Sequence, residues 1–374
     1  MKNTFGESVS VTLFGESHGK AIGIVLDGLA PGIEVDTTFI KKQLELRKSL
    51  SSISTKRREY DEFSILSGVF NGYTTGSPIC IVIPNSDIDS RDYDKIKNIA
   101  RPGHADYSAY CKYHGYNDYR GGGHFSGRIT AAIVAAGAIA ILALRKKGIE
   151  ISTHIKSCAG VDDRDFDDLL KDQKLLREMF FPVLDVDSAD KMKRKIIEAK
   201  NNGDSVGGIL QTVITGVESG IGEPWFDTVE GVLSHALFSI PGIKGVEFGK
   251  GFSFSNMFGS SANDSFLIKD KKVVTTSNNN AGINGGITNS MPIVFQCAVK
   301  PTPSIYKNQK TINFKDNKNV ELLIEGRHDP AIVHRARVVV DSMAALTLCD
   351  LLSLHFGTDW LANTKLNKGD NNES

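Results

Sequence analysis

Hydrophobic and polar positions change period several times along this chain. Residues 8–14, SVSVTLF, alternate polar and apolar side chains, which predicts a strand with one buried face. The polar, glycine-bounded GESHG follows, and then the apolar AIGIVLDG predicts a second strand. His18, in GESHG, is therefore expected on a turn or at a strand end. GSPICIVIP, residues 76–84, predicts another buried strand that Pro84 ends.

Helical patterns are interleaved with these strands. DTTFIKKQLELRK predicts a helix capped by Asp36, and residues 188–203 predict an exposed helix. DTVEGVLSHAL begins with a capping-box pattern from Asp227 to Glu230. A long apolar-periodic helix is expected from Pro330 to about His355. Helices that alternate with strands in this way favour an α/β fold.

The strongest helical signal is GRITAAIVAAGAIAILALRKKG, residues 127–148, which is rich in alanine and apolar on nearly every side. Its uncharged part, residues 129–144, is shorter than the roughly 20 residues that a membrane span needs, so it predicts a buried core helix. No linker or repeat divides the chain. We therefore expect one α/β domain over residues 1–362 and a disordered tail over residues 363–374, NTKLNKGDNNES.

Composition and charge narrow the class of protein. The 374 residues include 44 basic and 44 acidic side chains and are 40% hydrophobic, which is typical of a soluble globular protein. The balance argues against a nucleic-acid partner but allows a local anion pocket. The N-terminal residues have no apolar stretch of signal-peptide length, so a cytoplasmic protein without a membrane partner is expected. Five separated cysteines without a CxxC pair indicate reduced thiols, and no metal site is predicted.

Arginine is used selectively in this chain. Only 14 of the 44 basic residues are arginines. Arginine recognises phosphate and carboxylate through two parallel hydrogen bonds, which lysine cannot do. Several arginines converging on one cavity would suit a small polyanion. Those in or beside glycine- or histidine-rich stretches are Arg101, Arg120, Arg128, Arg327, Arg335 and Arg337.

Four polar clusters each allow a functional and a purely structural interpretation. RPGHAD, residues 101–106, predicts a type II turn. Either Arg101 and Asp106 form a surface salt bridge beside a solvated His104, or the cluster has a function. DYRGGGHFSGR, residues 118–128, is either a flexible loop or an anion site at a helix N-terminus. In EGRHDP, Asp329 is a helix cap before Pro330, a functional carboxylate, or both. Residues 278–304, ending in KPTPS, form either a long turn and strand or a phosphate or polar-ring site.

Taken together, these clusters resemble one family, chorismate synthase. The matching stretches, in order, are TLFGESHG, KRREYDEFSILSGVFNGYTTGSPI, RPGHADY, DYRGGG, GDSVGG, GIGEP, KGVEFG, GGITNSMPI, KPTPSI and GRHDP. They cover nearly the whole chain apart from the tail. No Walker A pattern and no GxGxxG fingerprint competes with this resemblance.

The resemblance implies a carbon-oxygen lyase that performs the last step of the shikimate pathway. In that step, 5-enolpyruvylshikimate 3-phosphate loses phosphate and a ring proton to give chorismate, by a 1,4-elimination that requires reduced FMN. Reduced flavin can lend an electron and recover it, while the protein positions the cofactor. The resemblance also implies a β-α-β sandwich, with helices between sheets, and a homotetramer.

Site residues are carried over from the resemblance. His18 would protonate the departing phosphate, His104 would offer positive charge or a proton to the flavin, and Asp329 would assist proton movement at flavin N5. Substrate anions would be held by Arg47, Arg101, Arg128 and Ser17. Flavin contacts would come from Ser126, Gly285, Lys300, Pro301, Thr302, Pro303, Ser304 and Arg327.

The chain departs from the family pattern at two places. Many members have GGGRSSAR where this chain has GGGHFSGR, so His124 replaces an arginine and Phe125 a serine. Many members also carry an arginine-rich segment with Pro-Gly, associated with nicotinamide binding, where this chain has the shorter LRKSLSSISTKRRE. We therefore do not predict NADPH binding, and we expect an external flavin reductase. The alternatives to a chorismate synthase are a flavin-dependent oxidoreductase and a catalytically inactive protein that binds a phosphorylated ligand.

Overall fold

The computed structural model of this chain describes residues 2–48, 53–54, 61–86, 93, 96–324, 326 and 328–362. The strands, in chain order, are β1 (Thr4–Phe5), β2 (Ser10–Gly15), β3 (Ala21–Asp27), β4 (Ser64–Ser67), β5 (Val69–Phe70), β6 (Tyr73–Thr74), β7 (Ile79–Pro84), β8 (Glu150–Cys158), β9 (Val161–Asp162), β10 (Gly208–Thr215), β11 (Ile243–Phe248), β12 (Phe266–Lys269), β13 (Lys272–Thr275), β14 (Ile283–Asn284), β15 (Ile287–Thr288), β16 (Ile293–Val299), β17 (Gln309–Asn313) and β18 (Lys318–Leu322). The α-helices are Thr37–Leu46, Asp106–Lys112, Thr130–Lys146, Leu169–Leu176, Val186–Asn201, Val229–Phe238, Gly259–Ala262 and Val333–Phe356. Short 3₁₀ turns cover Arg120–Phe125, Gly127–Ile129, Trp225–Asp227, Gly251–Asn256 and Thr358–Leu361. The predicted tail, residues 363–374, lies outside the described residues.

Two five-stranded antiparallel sheets organise these elements. The first has the order β1-β2-β3-β7-β4, and the second has the order β11-β16-β10-β8-β9. In β7 the isoleucines at alternate positions, Ile79, Ile81 and Ile83, are buried, as expected for a strand that covers a core with one face. The three strands predicted near the N-terminus are confirmed, and the polar GESHG forms the connection between β2 and β3.

The two longest helices lie between the sheets. The helix Thr130–Lys146, here called the alanine-rich helix, contacts β3 and β7, and it also contacts the helix Val333–Phe356, here called the C-terminal helix. The C-terminal helix contacts β8 and β10 of the second sheet. Small residues let the two helices approach closely, because a Cβ atom added to Gly137 would lie 2.2 Å from Cβ of Ser342. This arrangement of sheet, helices and sheet is the α/β fold that was expected.

Burial also explains the apolar character of these helices. With its initial 3₁₀ turn, the alanine-rich helix runs over 20 residues, Gly127–Lys146, which by length and composition alone could cross a membrane, and the C-terminal helix passes the same test. The short length of the uncharged stretch at residues 129–144 therefore does not by itself distinguish a core helix from a membrane span. The positions of the two helices identify them as core helices, because most of their residues are buried against the sheets and against each other.

One predicted helix cap is confirmed, one is wrong, and the cap interpretation left open for Asp329 is excluded. The Asp36 side chain accepts hydrogen bonds from the backbone of Thr38 and Phe39, as predicted. The helix Val229–Phe238 is capped by Thr228, whose side chain accepts from the Gly231 backbone, because Asp227 belongs to the preceding 3₁₀ turn. The C-terminal helix begins at Val333, too far along the chain for Asp329 to cap it.

Candidate active site

A large cavity of about 1170 Å³ opens beside the first turn of the alanine-rich helix. All four clusters singled out in the sequence contribute to its wall: RPGHAD, the glycine-rich loop of residues 118–128, the segment that begins at Lys300, and EGRHDP through Asp329. Small-molecule sites usually occupy roughly 300–1,000 Å³. The volume of this cavity therefore exceeds that of a typical site for one small molecule.

The RPGHAD segment forms the predicted turn. The backbone N–H of His104 donates to the Arg101 carbonyl at 3.1 Å, and Gly103 has a φ of +73°, as a type II turn requires. The Arg101 guanidinium donates to Asp106 through Nε at 2.8 Å and Nη2 at 2.7 Å. Arg101 is only 8% exposed, so this ion pair lines the cavity and is not a surface pair.

His104 lies in the cavity wall, and its Nε2 is 2.7 Å from the hydroxyl of Ser304. The pKa of His104 is lowered to about 4, mainly by burial and also by the Arg101 charge, while Asp106 opposes the shift. The protein groups alone therefore favour a neutral imidazole at pH 7. The positive charge expected on His104 would have to be induced by an anionic ligand in the cavity.

Ser17 and His18 follow β2 and are packed behind the glycine-rich loop. The Ser17 hydroxyl donates to the carbonyls of Arg120 at 3.3 Å and Gly121 at 3.1 Å. Gly121 is part of the cavity wall, whereas His18 is not among the described residues that line it. His18 is 7% exposed and has Ser17 Oγ 3.1 Å from its Nδ1. A single glycine therefore separates His18 from the cavity.

The glycine-rich loop brings a helix N-terminus to the cavity. Gly121, Gly122 and Gly123 all have positive φ angles, which favour glycine over other residues. Ser126 ends the loop, lines the cavity, and accepts a hydrogen bond from the Arg128 backbone at 3.3 Å. The N-terminal end of the alanine-rich helix therefore provides the positive dipole predicted for an anion site. Nearby, His124 donates from Nδ1 to the Gly15 carbonyl at 2.7 Å.

Two predicted anion-binding arginines meet at one carboxylate. Arg47 and Arg128 both line the cavity. Arg47 Nη2 lies 3.1 Å from Asp61 Oδ2, and Arg128 Nη1 donates to Asp61 Oδ1. Arg128 also donates from Nε to the side chain of Asn85 at 3.2 Å. Asp61 and Asn85 were not predicted as site residues, and the charged run around Asp61 offers no local signal that would have separated it from a solvated surface.

Asp329 also contributes to the cavity wall. Its carboxylate accepts a hydrogen bond from Arg335 Nη1 at 2.6 Å, and both residues line the cavity. Arg335 also donates from Nε to the backbone carbonyl of Arg47 at 2.8 Å. Asp329 is therefore a site carboxylate held by an ion pair, and the helix-cap interpretation is wrong. Arg335 had been noted in the sequence but had not been assigned to the site.

Comparison with known proteins decides between the possible chemistries of this cavity. The family model described as chorismate synthase matches residues 9–353. The chain is 47% identical to the chorismate synthase of Thermococcus gammatolerans and 48% identical to that of Pyrococcus abyssi, over 93% of this chain and 96% of each relative. The chain belongs to the chorismate synthase family. A crystal structure of a chorismate synthase superposes with a TM-score of 0.72 at 29% identity, covering 95% of this chain and 94% of that chain.

Membership establishes the class of reaction. Chorismate synthases are carbon-oxygen lyases that remove phosphate and a proton from 5-enolpyruvylshikimate 3-phosphate to form chorismate, the last step of the shikimate pathway. Phosphate is the leaving group, so a chorismate synthase needs cationic donors and a proton source close together. The described cavity has Arg47, Arg128 and His104 in its wall and His18 directly behind it.

The segment after β16 supplies five of the eight residues that the sequence resemblance predicts as flavin contacts. Lys300, Pro301, Thr302 and Pro303 line the cavity, and Ser304 contacts it through His104. The Thr302 hydroxyl is buried and makes no hydrogen bond with any described residue. A buried hydroxyl of this kind fits a ligand acceptor such as a phosphate oxygen. Lys300 Nζ donates to the Gly103 carbonyl at 2.6 Å.

Two predicted flavin contacts, Gly285 and Arg327, are not among the described residues that line the cavity. Gly285 lies with Gly286 in the turn between β14 and β15. Arg327 lies outside the residues that the structure describes. The remaining predicted flavin contacts, Ser126 and the segment from Lys300 to Ser304, are brought together with the catalytic candidates.

Proposed function

We propose that this chain performs the chorismate synthase elimination with reduced FMN held in the described cavity. The observation that carries the proposal is the meeting of the buried, unpartnered Thr302 hydroxyl with His104, Asp329 and two arginines around one cavity of about 1170 Å³. Reduced flavin, when bound, would supply transient electron density that helps the phosphate leave. The protein's own groups would bind the substrate, orient it and move the protons.

The leaving phosphate is the first group that the protein must stabilise. Arg47 and Arg128 would bind the substrate's phosphate and carboxylates, because both line the cavity and present guanidinium donors. His18 would donate a proton to the departing phosphate from its position behind Gly121, with Ser17 holding the ring at 3.1 Å. Arg101 would contribute positive charge, while its Nε and Nη2 remain engaged by Asp106.

Proton removal would involve Asp329 and His104. Asp329 would accept or relay the proton near flavin N5, held there by Arg335 at 2.6 Å. His104 would place its ring beside the flavin, with Ser304 fixing Nε2 at 2.7 Å. A bound anionic flavin would favour the protonated imidazole, opposing the burial that lowers its pKa. Gly285 and Arg327 stay predictions from the family resemblance.

We also infer that the chain acts in the cytoplasm as a homotetramer. Several large apolar side chains on one half of the chain are more than four-fifths exposed, namely Trp225, Phe226, Phe252 and Phe258. Exposed aromatic groups of this size support self-association. An outside reductant would supply the reduced flavin, because the segment of residues 46–59 lacks the Arg-Pro-Gly character associated with nicotinamide binding.

Binding of FMN tests the placement of the cofactor directly. Quenching of flavin fluorescence would give the dissociation constant for wild type and for Thr302→Val, which removes one hydroxyl donor. We expect Thr302→Val to weaken FMN binding roughly tenfold, in line with a lost hydrogen bond to a charged acceptor. Thr215→Val removes a hydroxyl from the end of β10 and should leave the constant unchanged. Equal affinities for all three proteins would refute the placement of FMN beside Thr302.

A further inference from the structure

We propose that Asp61 is a positioning residue that fixes the orientation and the net charge of the substrate-binding arginines. The inference rests on the proposed function, in which Arg47 and Arg128 hold the anionic groups of the substrate. Asp61 itself is not among the described residues that line the cavity. It would therefore act through the two guanidinium groups, without touching the substrate.

The first observation is that one carboxylate serves both arginines. Each Asp61 oxygen has its own partner, because Arg47 is 3.1 Å from Oδ2 and Arg128 donates to Oδ1. The three side chains are 1–6% exposed, so water does not compete for these contacts. Each guanidinium is thereby held on one edge by Asp61, and its orientation in the cavity wall is fixed.

The second observation concerns charge. Two buried guanidinium groups that share one wall would repel each other, and the effect is stronger in a protein interior than in water. With Asp61 between them, the three groups carry a net charge of +1 before a ligand binds. The carboxylate therefore lets two arginines coexist in the unliganded enzyme, and it leaves a positive charge for the incoming polyanion.

The third observation links this cluster to His18. Asn85, directly after β7, accepts from Arg128 Nε at 3.2 Å and donates from Nδ2 to the carbonyls of Glu16 at 3.0 Å and Gly19 at 2.9 Å. Glu16 and Gly19 flank Ser17 and His18 in the same turn. Asp61 holds Arg128 on one side and Asn85 holds it on the other, so the guanidinium and the turn that carries His18 are fixed to each other.

Replacement by asparagine tests the role of Asp61 with little change of shape. The amide of Asp61→Asn would keep one acceptor oxygen but would direct an N–H donor at the second guanidinium. The matched control is Asp172→Asn, which breaks another ion pair of a buried carboxylate, with Arg164 at 2.5 Å, away from the cavity wall. Calorimetric titration of enzyme loaded with oxidised FMN would give the dissociation constant for 5-enolpyruvylshikimate 3-phosphate, and fluorescence would give the constant for FMN.

We expect Asp61→Asn to weaken substrate binding at least tenfold, to raise KM more than it lowers kcat, and to change FMN affinity less than twofold. Asp172→Asn should leave both constants unchanged. If Asp61→Asn does not fold, Asn85→Ala removes the second support of Arg128 without changing any charge, and it should weaken substrate binding at least threefold.

The outcomes separate this inference from the proposed function. Failure of wild type to bind 5-enolpyruvylshikimate 3-phosphate would overturn the proposed function itself. Tight binding by wild type with equal binding by Asp61→Asn and Asn85→Ala would overturn only the positioning role. Parallel loss of substrate and FMN binding in Asp61→Asn would also contradict it, because that result would mark Asp61 as a residue of general structural importance.

Discussion

A Cβ atom added to Gly121 would lie 2.0 Å from Cε1 of His18. Gly121 also has a φ of +58°, and it is the residue through which the cavity wall approaches the imidazole. Glycine is therefore required here both by its backbone conformation and by the space that His18 occupies. The glycine-rich loop therefore has a defined conformation packed against His18, and the interpretation of this loop as a flexible segment is not supported.

Gly121→Ala should reduce turnover at least tenfold, because the new methyl group would push the His18 ring from its position. Gly122 offers a matched control, since its φ is +83° but an added Cβ atom would approach only Ser126, at 3.9 Å. Gly122→Ala would therefore impose similar backbone strain without displacing His18. We expect steady-state kinetics to show that Gly121→Ala resembles His18→Ala, while Gly122→Ala retains most of the activity. Similar rates for the two glycine variants would argue against this role for Gly121.

The pKa of His104 predicts how stability depends on pH. The pKa is lowered from 6.5 to about 4 in the folded chain, mainly by burial, so between these values the unfolded chain binds a proton that the folded chain does not. The free energy of unfolding should therefore fall as pH decreases from 6.5 towards 4. His104→Asn should remove part of this dependence, making the loss between pH 6.5 and pH 5 smaller by about 1 kcal/mol.

Urea unfolding of the flavin-free protein at several pH values would measure this effect. The buried His334, whose pKa is lowered to about 3 by burial, contributes in the same direction but is present in both proteins, so it cancels in the comparison. Identical pH slopes for wild type and His104→Asn would show that His104 is not held neutral by the fold.

Asp329→Asn should slow turnover at least tenfold while leaving FMN affinity within about twofold of wild type. In the wild type, Arg335 Nη1 lies 2.6 Å from the Asp329 carboxylate. The amide of the variant can still accept this hydrogen bond, but it cannot accept a proton at neutral pH. Single-turnover kinetics and a parallel flavin titration would separate the two effects. Collapse of FMN binding would instead assign Asp329 a mainly structural role.

Gly137→Ala should destabilise the fold. The added methyl group would lie 2.2 Å from Cβ and 2.6 Å from Cα of Ser342, where two packed helices cannot easily separate. Overpacking of this kind costs roughly 1–3 kcal/mol, which exceeds the gain of up to about 1 kcal/mol in helix propensity. Gly259→Ala, where nothing lies within 4 Å of the added atom, is the control. Denaturant midpoints that are unchanged for both variants would contradict the close approach of the helices.

Local sequence patterns predicted the elements better than their connections. The alternation in residues 8–14 and the alanine-rich stretch correspond to β2 and to a buried helix, because both depend on which faces are apolar. The cap at Asp227 was wrong because the side chain one residue later, Thr228, reaches the Gly231 backbone. The cap interpretation left open for Asp329 is excluded because the helix begins only at Val333, and Arg335 holds the carboxylate instead.

The site could be predicted only as far as its residues lie in recognisable motifs. Motif resemblance provided His18, His104 and Arg128. It did not provide Asp61, because its role depends on two arginines, 14 and 67 residues away in sequence, that meet only in the folded chain. The lowered pKa of His104 could not be predicted from the sequence either, because it depends on burial in the folded chain.

The most direct test of the account is the stoichiometry of product and flavin. Purified protein would be mixed anaerobically with 5-enolpyruvylshikimate 3-phosphate and chemically reduced FMN, and phosphate, chorismate and oxidised flavin would be measured together. The account predicts many molecules of phosphate and chorismate for each flavin, in equal amounts and without net flavin oxidation. A parallel reaction with NADPH and oxidised FMN should give no product. Flavin oxidation in step with product, or binding of the substrate without phosphate release, would contradict the account.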